Sequence, residues 1–443
     1  MSADKARRIA VLGLWHQGVV GAACFAEAGY HVMAVDPEPE RIQRLAQGHA
    51  PVFEPGLDEL LQRGLASGHL QFSTDAAGAV RGCREVLLMQ DTPVNERDES
   101  DLTPVFEIVK AVAGHLEPDA VLVVTAQVPV GTCDEITRLI RQVRPNGLPG
   151  IAYIPENLRL GQAIDRFRHP ALPVIGVASE EHFRRVEQLL APFGAPWQRV
   201  SLRTAEMTKH ALNAFLAVSV CFGNELGNLC DEVGADGRRI AEVLRLEPRV
   251  GPKAMLTPGL GFSGGTLARD MHTLRVLGDR SGLDTPLLDG AWQSNQIQNR
   301  IVIRKLQQFF GALEGLPLAV LGLTYKPDTS TLRRSAALEI IAEMAQRRAD
   351  VRAHDPRADR QELAQYQGFR FFENVYDALE GARVLVLMTG WPEYRQLAFD
   401  RVKQVMAQPV ILDASSLLDG TQLTSMGFTY LDVGRGRTMC GDQ

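Results

Sequence analysis

The sequence predicts an α/β chain made of two Rossmann-like, doubly wound parallel-sheet domains joined by a central helical region. Three observations predict it. Residues 8–36 hold an apolar run, a glycine turn, a small-residue helix and a second apolar run ending in an acid. Residues 204–232 form one long, proline-free helical pattern rich in Ala, Leu and Val. A strand–turn–helix–strand alternation then restarts at residue 318. A length of 443 residues exceeds one ordinary domain. The expected boundaries are 1–200 for a first Rossmann-like domain, 201–312 for a central helical, dimer-forming domain and 313–443 for a second Rossmann-like domain.

Residues 8–14 (RIAVLGL) read as a buried strand ending in a turn, 18–29 as a helix closed by Gly29, and 31–36 (HVMAVD) as a strand that delivers Asp36. An acid about 20 residues past a glycine turn is the dinucleotide-binding arrangement. Further strands are expected at Glu85–Met89, Ala120–Thr125 and Val174–Val177, continuing a parallel sheet. A second helical stretch is expected over about 285–310, after a glycine- and proline-rich loop from Pro248 to Gly265. In the last third, 318–323, Asp350–His354, Arg383–Met388 and Pro409–Asp413 read as strands, and Arg334–Arg348 as a helix.

Composition narrows the function. The 47 basic residues against 53 acidic ones leave a net charge of −6, which argues against a nucleic-acid partner. The six cysteines, Cys24, Cys83, Cys133, Cys221, Cys230 and Cys440, form no C-x-x-C pair, so neither a disulfide framework nor a metal site is expected. Such scattered cysteines fit a reducing compartment. The opening MSADKARR is polar and carries no secretory core, and no apolar run reaches the roughly 18 residues of a membrane helix. A cytoplasmic protein without membrane contact is expected.

The first turn reads Gly13-Leu14-Trp15-His16-Gln17-Gly18. In a G-x-G-x-x-G turn the first glycine makes the bend, the second admits the pyrophosphate and the third lets helix and strand pack closely. Gly13, Gly18 and Asp36 keep that logic, while Trp15 takes the middle position. The ring of His16 either contacts a phosphate or fills space beside Trp15.

Motifs spread over nearly the whole chain resemble the UDP-glucose/GDP-mannose dehydrogenase family, most closely its UDP-glucose 6-dehydrogenases. The resemblance rests on Pro51-Val52-Phe53-Glu54-Pro55-Gly56-Leu57, Thr92-Pro93 with Asp101-Leu102, Val128-Pro129-Val130-Gly131-Thr132 and Pro155-Glu156-Asn157-Leu158-Arg159. It continues through Lys209, Asn213-Ala214-Phe215, Asn224-Glu225, Arg249-Val250-Gly251 and Gly259-Leu260-Gly261-Phe262. Gly322-Leu323-Thr324-Tyr325-Lys326, Arg333 and Asp355-Pro356 complete it.

The resemblance implies NAD as cofactor, a nucleotide-sugar substrate and a two-step oxidation in which a cysteine captures the intermediate aldehyde. It implies catalytic roles for Lys209, Asn213, Glu156 and Asp270, with Thr266 at the position of the nucleophile. Lys209 and Asn213, four residues apart, share a helix face where both can stabilise a developing alkoxide. It further implies that Gly13, Trp15, His16, Gly18, Asp36, Thr92 and Arg333 line the cofactor site. Arg249, Phe262, Gly264, Tyr325 and Lys326 would contact substrate, with Arg249 reaching a neighbouring subunit of a homodimer.

The pattern breaks where the chemistry is concentrated. The family's G-F-G-G-S-C-F-P-K-D is here Gly261-Phe262-Ser263-Gly264-Gly265-Thr266-Leu267-Ala268-Arg269-Asp270. A threonine hydroxyl is β-branched and needs a strong base to act as nucleophile, unlike a thiol. Gln127 replaces a threonine, Leu160 a glutamate, Thr331 an acid, and Ala414-Ser415-Ser416 a G-R-N turn. Three readings follow: one hydride transfer giving an aldehyde or ketone, a full oxidation through an aldehyde hydrate, or an inactive nucleotide-sugar-binding or regulatory protein.

Overall fold

The computed structural model describes residues 7–95, 99–263 and 265–435. The chain divides into two compact units, one running to Leu212 and one from Asn213.

The first unit is built on eight strands: β1 (Arg8–Leu12), β2 (His31–Val35), β3 (Leu70–Ser73), β4 (Glu85–Leu88), β5 (Val121–Val124), β6 (Gly150–Tyr153), β7 (Val174–Val177) and β8 (Gln198–Val200). Their order in the sheet is 3-2-1-4-5-6-7-8. The alternating side chains of β1 explain its layering. Ile9 and Val11 join Val19, Val20 and Phe25 of the helix His16–Glu27 on one face. Ala10 and Leu12 join Val109, Val112 and Ile136 on the other. A strand covered on both faces must be apolar throughout, which is why RIAVL reads as a continuous run.

One expectation needs correction. β7 pairs antiparallel with β6, Ala152 lying opposite Val177, although β7 and β8 are again parallel. The intervening segment supplies only the short helix Ala163–Arg168, whose Phe167 stacks edge-to-face on Phe25 at 5.6 Å.

The second unit carries most of the helix Leu202–Val233, then helices Gly237–Leu244, Leu267–Ser281, Pro286–Gln298 and Ile301–Phe310. The stretch expected over 285–310 is thus two helices, interrupted at Asn299 and Arg300. Leu267–Ser281 (LARDMHTLRVLGDRS) was not anticipated, because its polar composition hides any apolar stripe. Six parallel strands follow: β9 (Pro317–Leu321), β10 (Asp350–His354), β11 (Arg370–Phe371), β12 (Val384–Leu387), β13 (Val410–Asp413) and β14 (Thr429–Asp432), in the order 11-10-9-12-13-14. This repeats the 3-2-1-4-5-6 order of the first sheet.

The repetition extends to the turn. Gly13 and Gly322 both hold φ +89°. Leu14 N–H donates to Asp36 at 2.8 Å, and Leu323 N–H to Asp355 at 2.7 Å. In the second sheet, however, the indole N–H of Trp391 also donates to Asp355, at 3.2 Å, so that lobe's own side chain engages the acid. Among the described residues no helix is long and apolar enough to cross a membrane. Among the same residues no group of three or more His, Cys, Asp or Glu could hold a metal ion.

Candidate active site and cofactor turn

The cofactor turn follows from the β1–helix–β2 frame. A Cβ on Gly13 would lie 2.6 Å from Gln90 Cα, and one on Gly18 would lie 1.7 Å from the Gly13 carbonyl oxygen. Both positions therefore demand glycine. The middle position does not: Trp15 adopts φ −89°, open to any residue, so the missing second glycine costs no backbone strain. With bare backbone at 13 and 18 and a buried acid at 36, the turn fits a dinucleotide.

Sequence reasoning missed Arg41, five residues past Asp36 in the helix Pro39–Ala46. Its Nη1 lies 2.8 Å from both Asp36 carboxylate oxygens, its Nη2 lies 2.5 Å from Glu38, and its guanidinium lies 5.1 Å from the Trp15 ring centroid. A basic residue one helical turn beyond the acid was the available signal. His16 Nε2 lies 3.1 Å from buried Glu54, which also accepts the Gly161 and Ala163 amide protons at 2.9 and 2.7 Å. Thr92 is buried and donates its hydroxyl to the Gln127 carbonyl at 2.8 Å.

The start of the long helix is locked to the Val128–Thr132 turn. Buried Glu206 accepts the Gly131 and Cys133 amide protons at 2.6 and 2.8 Å, and the His210 ring contacts the Val128 carbonyl at 3.0 Å. Between them on that helix, the Lys209 ammonium is buried and lies 3.9 Å from Glu156 Oε2. Glu156 Oε1 accepts the Leu158 amide proton.

In the second unit, Asn213 donates its amide to fully buried Asp270. Thr266 is exposed at the start of the helix Leu267–Ser281, and its carbonyl accepts the Asp270 amide proton at 3.2 Å. The preceding loop is held by three side chains, of which Asn295 and Gln298 belong to no motif. Asn295 accepts the Phe262 amide proton at 2.7 Å and donates to the Phe262 carbonyl at 3.1 Å, while Gln298 donates to the Gly259 carbonyl at 2.6 Å. Asn224 accepts the Gly259 amide proton at 2.9 Å.

Around that loop lies a cleft of about 310 Å³, lined by Pro258, Leu260, Ser263, Tyr325, Lys326 and Ser415 among others. Tyr325 and Lys326 are thus brought to the loop, and the Lys326 ammonium lies 5.5 Å from the Tyr325 ring centroid. The Phe262 side chain packs with Ala214, Ala217 and Met271 in an apolar cluster. Arg249 is exposed and pairs with Glu247 at 2.8 Å. Exposed Arg333 receives a local contact, its amide donating to the Thr331 hydroxyl at 3.3 Å. Gly264 lies outside the described residues. Ser415, where the resemblance leads one to expect arginine, folds back so that its amide and hydroxyl donate to Asp413 at 2.9 and 2.8 Å.

The described cysteines are all buried. Burial pushes the Cys24 thiol up to about 12 and Cys221 up to about 11, and raises Cys83, Cys133 and Cys230 as well. None of these five is a ready thiolate.

The chain matches the UDP-glucose/GDP-mannose dehydrogenase family in three consecutive domains: its NAD binding domain over residues 7–194, its central domain over 203–297 and its UDP binding domain over 319–420. It is 34% identical to a UDP-glucose 6-dehydrogenase of Rhizobium meliloti over 437 residues, covering 97% of this chain and 99% of that one. Over 431 residues it is 32% identical to such an enzyme of Bacillus subtilis, covering 97% and 93% of the two chains. Among solved structures, a UDP-glucose dehydrogenase from the archaeon Pyrobaculum islandicum superposes with a TM-score of 0.86 at 28% identity, covering 97% and 98% of the two chains. A UDP-D-ManNAc dehydrogenase from Pyrococcus horikoshii does so with 0.85 at 26%, covering 97% and 99%. With an NAD-binding first domain and a UDP-binding last domain, the chain belongs to the UDP-glucose/GDP-mannose dehydrogenase family.

Proposed function

We propose that this protein binds a UDP-sugar with NAD and oxidises one CH–OH group once, releasing the carbonyl instead of carrying it to the acid through an enzyme thioester. One observation carries the reading: Thr266 stands at the expected nucleophile position, and each of the five described cysteines is a buried thiol held protonated. NAD, when bound, supplies the nicotinamide that accepts the hydride. The Lys209 ammonium donates to the substrate oxygen as its charge grows, and the Glu156 carboxylate, 3.9 Å from that ammonium, takes the proton that the hydroxyl releases. The Asn213 amide, oriented by Asp270, is a second donor. A single oxidation requires no attacking water, so Asp270 serves here to orient.

The test is product stoichiometry. The protein is incubated with NAD and a panel of UDP-sugars, UDP-glucose first, while NADH is followed by absorbance and the sugar product by mass spectrometry with a carbonyl trap. One NADH per sugar and a trappable carbonyl are expected. Two NADH per sugar with a uronic acid would overturn the reading. Calorimetric binding without any turnover would replace it with that of a nucleotide-sugar-binding protein.

We also propose a homodimer built on the long helix. Phe215, Phe222 and Leu229 recur every seven residues and, with Val233, leave a solvent-facing apolar stripe; they are 70, 54, 64 and 76% exposed. So large an apolar stripe on a helix calls for a partner, and a second copy offers the same stripe in return.

A further inference from the structure

Trp15 is the feature of the cofactor turn that neither the backbone nor the core explains. It is 40% exposed, stands where a dinucleotide turn ordinarily carries glycine, and is held by a cation–π contact from Arg41 at 5.1 Å. Arg41 is itself pinned. Its Nη1 contacts both oxygens of Asp36, and its Nη2 contacts Glu38. Asp36 also accepts the Leu14 and Glu38 amide protons at 2.8 and 3.0 Å. A carboxylate offers about four lone-pair sites, and four contacts now occupy them. The acid that would ordinarily receive the nucleotide's ribose is therefore already engaged. Beside it the surface offers a fixed aromatic plane with a guanidinium behind it.

We propose that Trp15, positioned by Arg41, is a stacking platform for the adenine base of the dinucleotide, so that the affinity for that half comes largely from the indole. The inference rests on the assignment of NAD to this domain. A neutral, flat purine suits this surface. It needs no charge partner, and its π-face stacks on an indole. Two carboxylates already neutralise Arg41, which leaves its guanidinium to serve as a stacking layer.

The experiment titrates the full-length protein, Trp15→Phe and Trp15→Gly with AMP, nicotinamide mononucleotide and NAD, reading intrinsic tryptophan fluorescence and calorimetric affinity. UDP binding serves as the control for folding. In the wild type, AMP and NAD should quench emission and nicotinamide mononucleotide should not. Trp15→Phe should lose the quench while keeping affinity, because a phenyl ring still stacks. Trp15→Gly should bind AMP about five-fold or more weakly, with UDP binding unchanged. If Trp15→Gly binds AMP and NAD as tightly as the wild type or more tightly, Trp15 is spectator or obstruction, and the platform is refuted while NAD remains the cofactor. If neither protein binds NAD, the cofactor assignment falls and the platform with it.

Discussion

Replacing Thr266 with cysteine restores the residue type expected at that position and tests both the exposure of the site and the breadth of its departure from the family. The substitution is best made in a Cys440→Ser background, because Cys440 lies outside the described residues. An exposed thiol of ordinary pKa, ~8.5, is about a quarter ionised at pH 8. Cys221, pushed up to about 11, is ionised there to roughly one part in a thousand, and Cys24, at about 12, to roughly one in ten thousand. The new thiolate population is thus ~200-fold that of Cys221. The greater intrinsic nucleophilicity of the more basic thiolate returns about ten-fold, leaving ~20-fold from ionisation alone, before burial slows the native thiols further. A stopped-flow assay with a chromogenic disulfide should show one fast thiol in the variant and none in the parent. The NADH yield per UDP-sugar should nevertheless stay at one, since Leu160 and Ser415 are unchanged. A variant thiol as slow as the parent's would contradict the exposed placement of Thr266. Two NADH per sugar would show that the nucleophile alone was missing.

Other substitutions probe single contacts. Glu206→Ala leaves the Gly131 and Cys133 amides without their acceptor, at about 1–3 kcal/mol each, and should lower the stability of the first unit by roughly 2–6 kcal/mol in calorimetry. An unchanged transition would mean that the turn finds other partners. Burial pushes Asp432 up to about 6 from 3.8, against the opposing pull of Arg238 and Arg435. The folded state therefore binds this proton more tightly than the unfolded one. The group's contribution to stability is greatest below about pH 4 and is lost as pH rises toward 6, by about 3 kcal/mol. Asp432→Asn should flatten that part of the wild-type stability profile, and identical profiles would refute the assignment. Phe222→Arg places a charge in the apolar stripe and should convert a dimer to monomer in sedimentation at micromolar concentration. A wild type that already sediments as a monomer would remove the proposed interface.

How much was legible depended on how local the physics was. The β1 turn could be read because its requirements lie within some 30 residues: buried β1, glycine at 13 and 18, the small-residue helix and Asp36. The same holds for the turn at Gly322 with Asp355. The polar helix Leu267–Ser281 was missed because its apolar positions are too sparse to declare a period, although it carries Asp270. Asn295 and Gln298 were missed because they hold the 259–262 loop from 33 and 39 residues away. Glu206 was missed for the same reason, reaching back 75 residues to Gly131.

The sequence by itself determined the two Rossmann-like lobes, the helical region between them and the identity of the residue at position 266. Hydrophobic period, glycine placement and residue type are properties of short segments and survive without coordinates. Tertiary structure alone decided which charges meet. It set Arg41 beneath Trp15, Lys209 toward Glu156, Asn213 on Asp270 and Trp391 onto Asp355. It also turned β7 against β6. Those outcomes depend on how distant segments pack, and a buried polar group takes whichever partner that packing brings within reach.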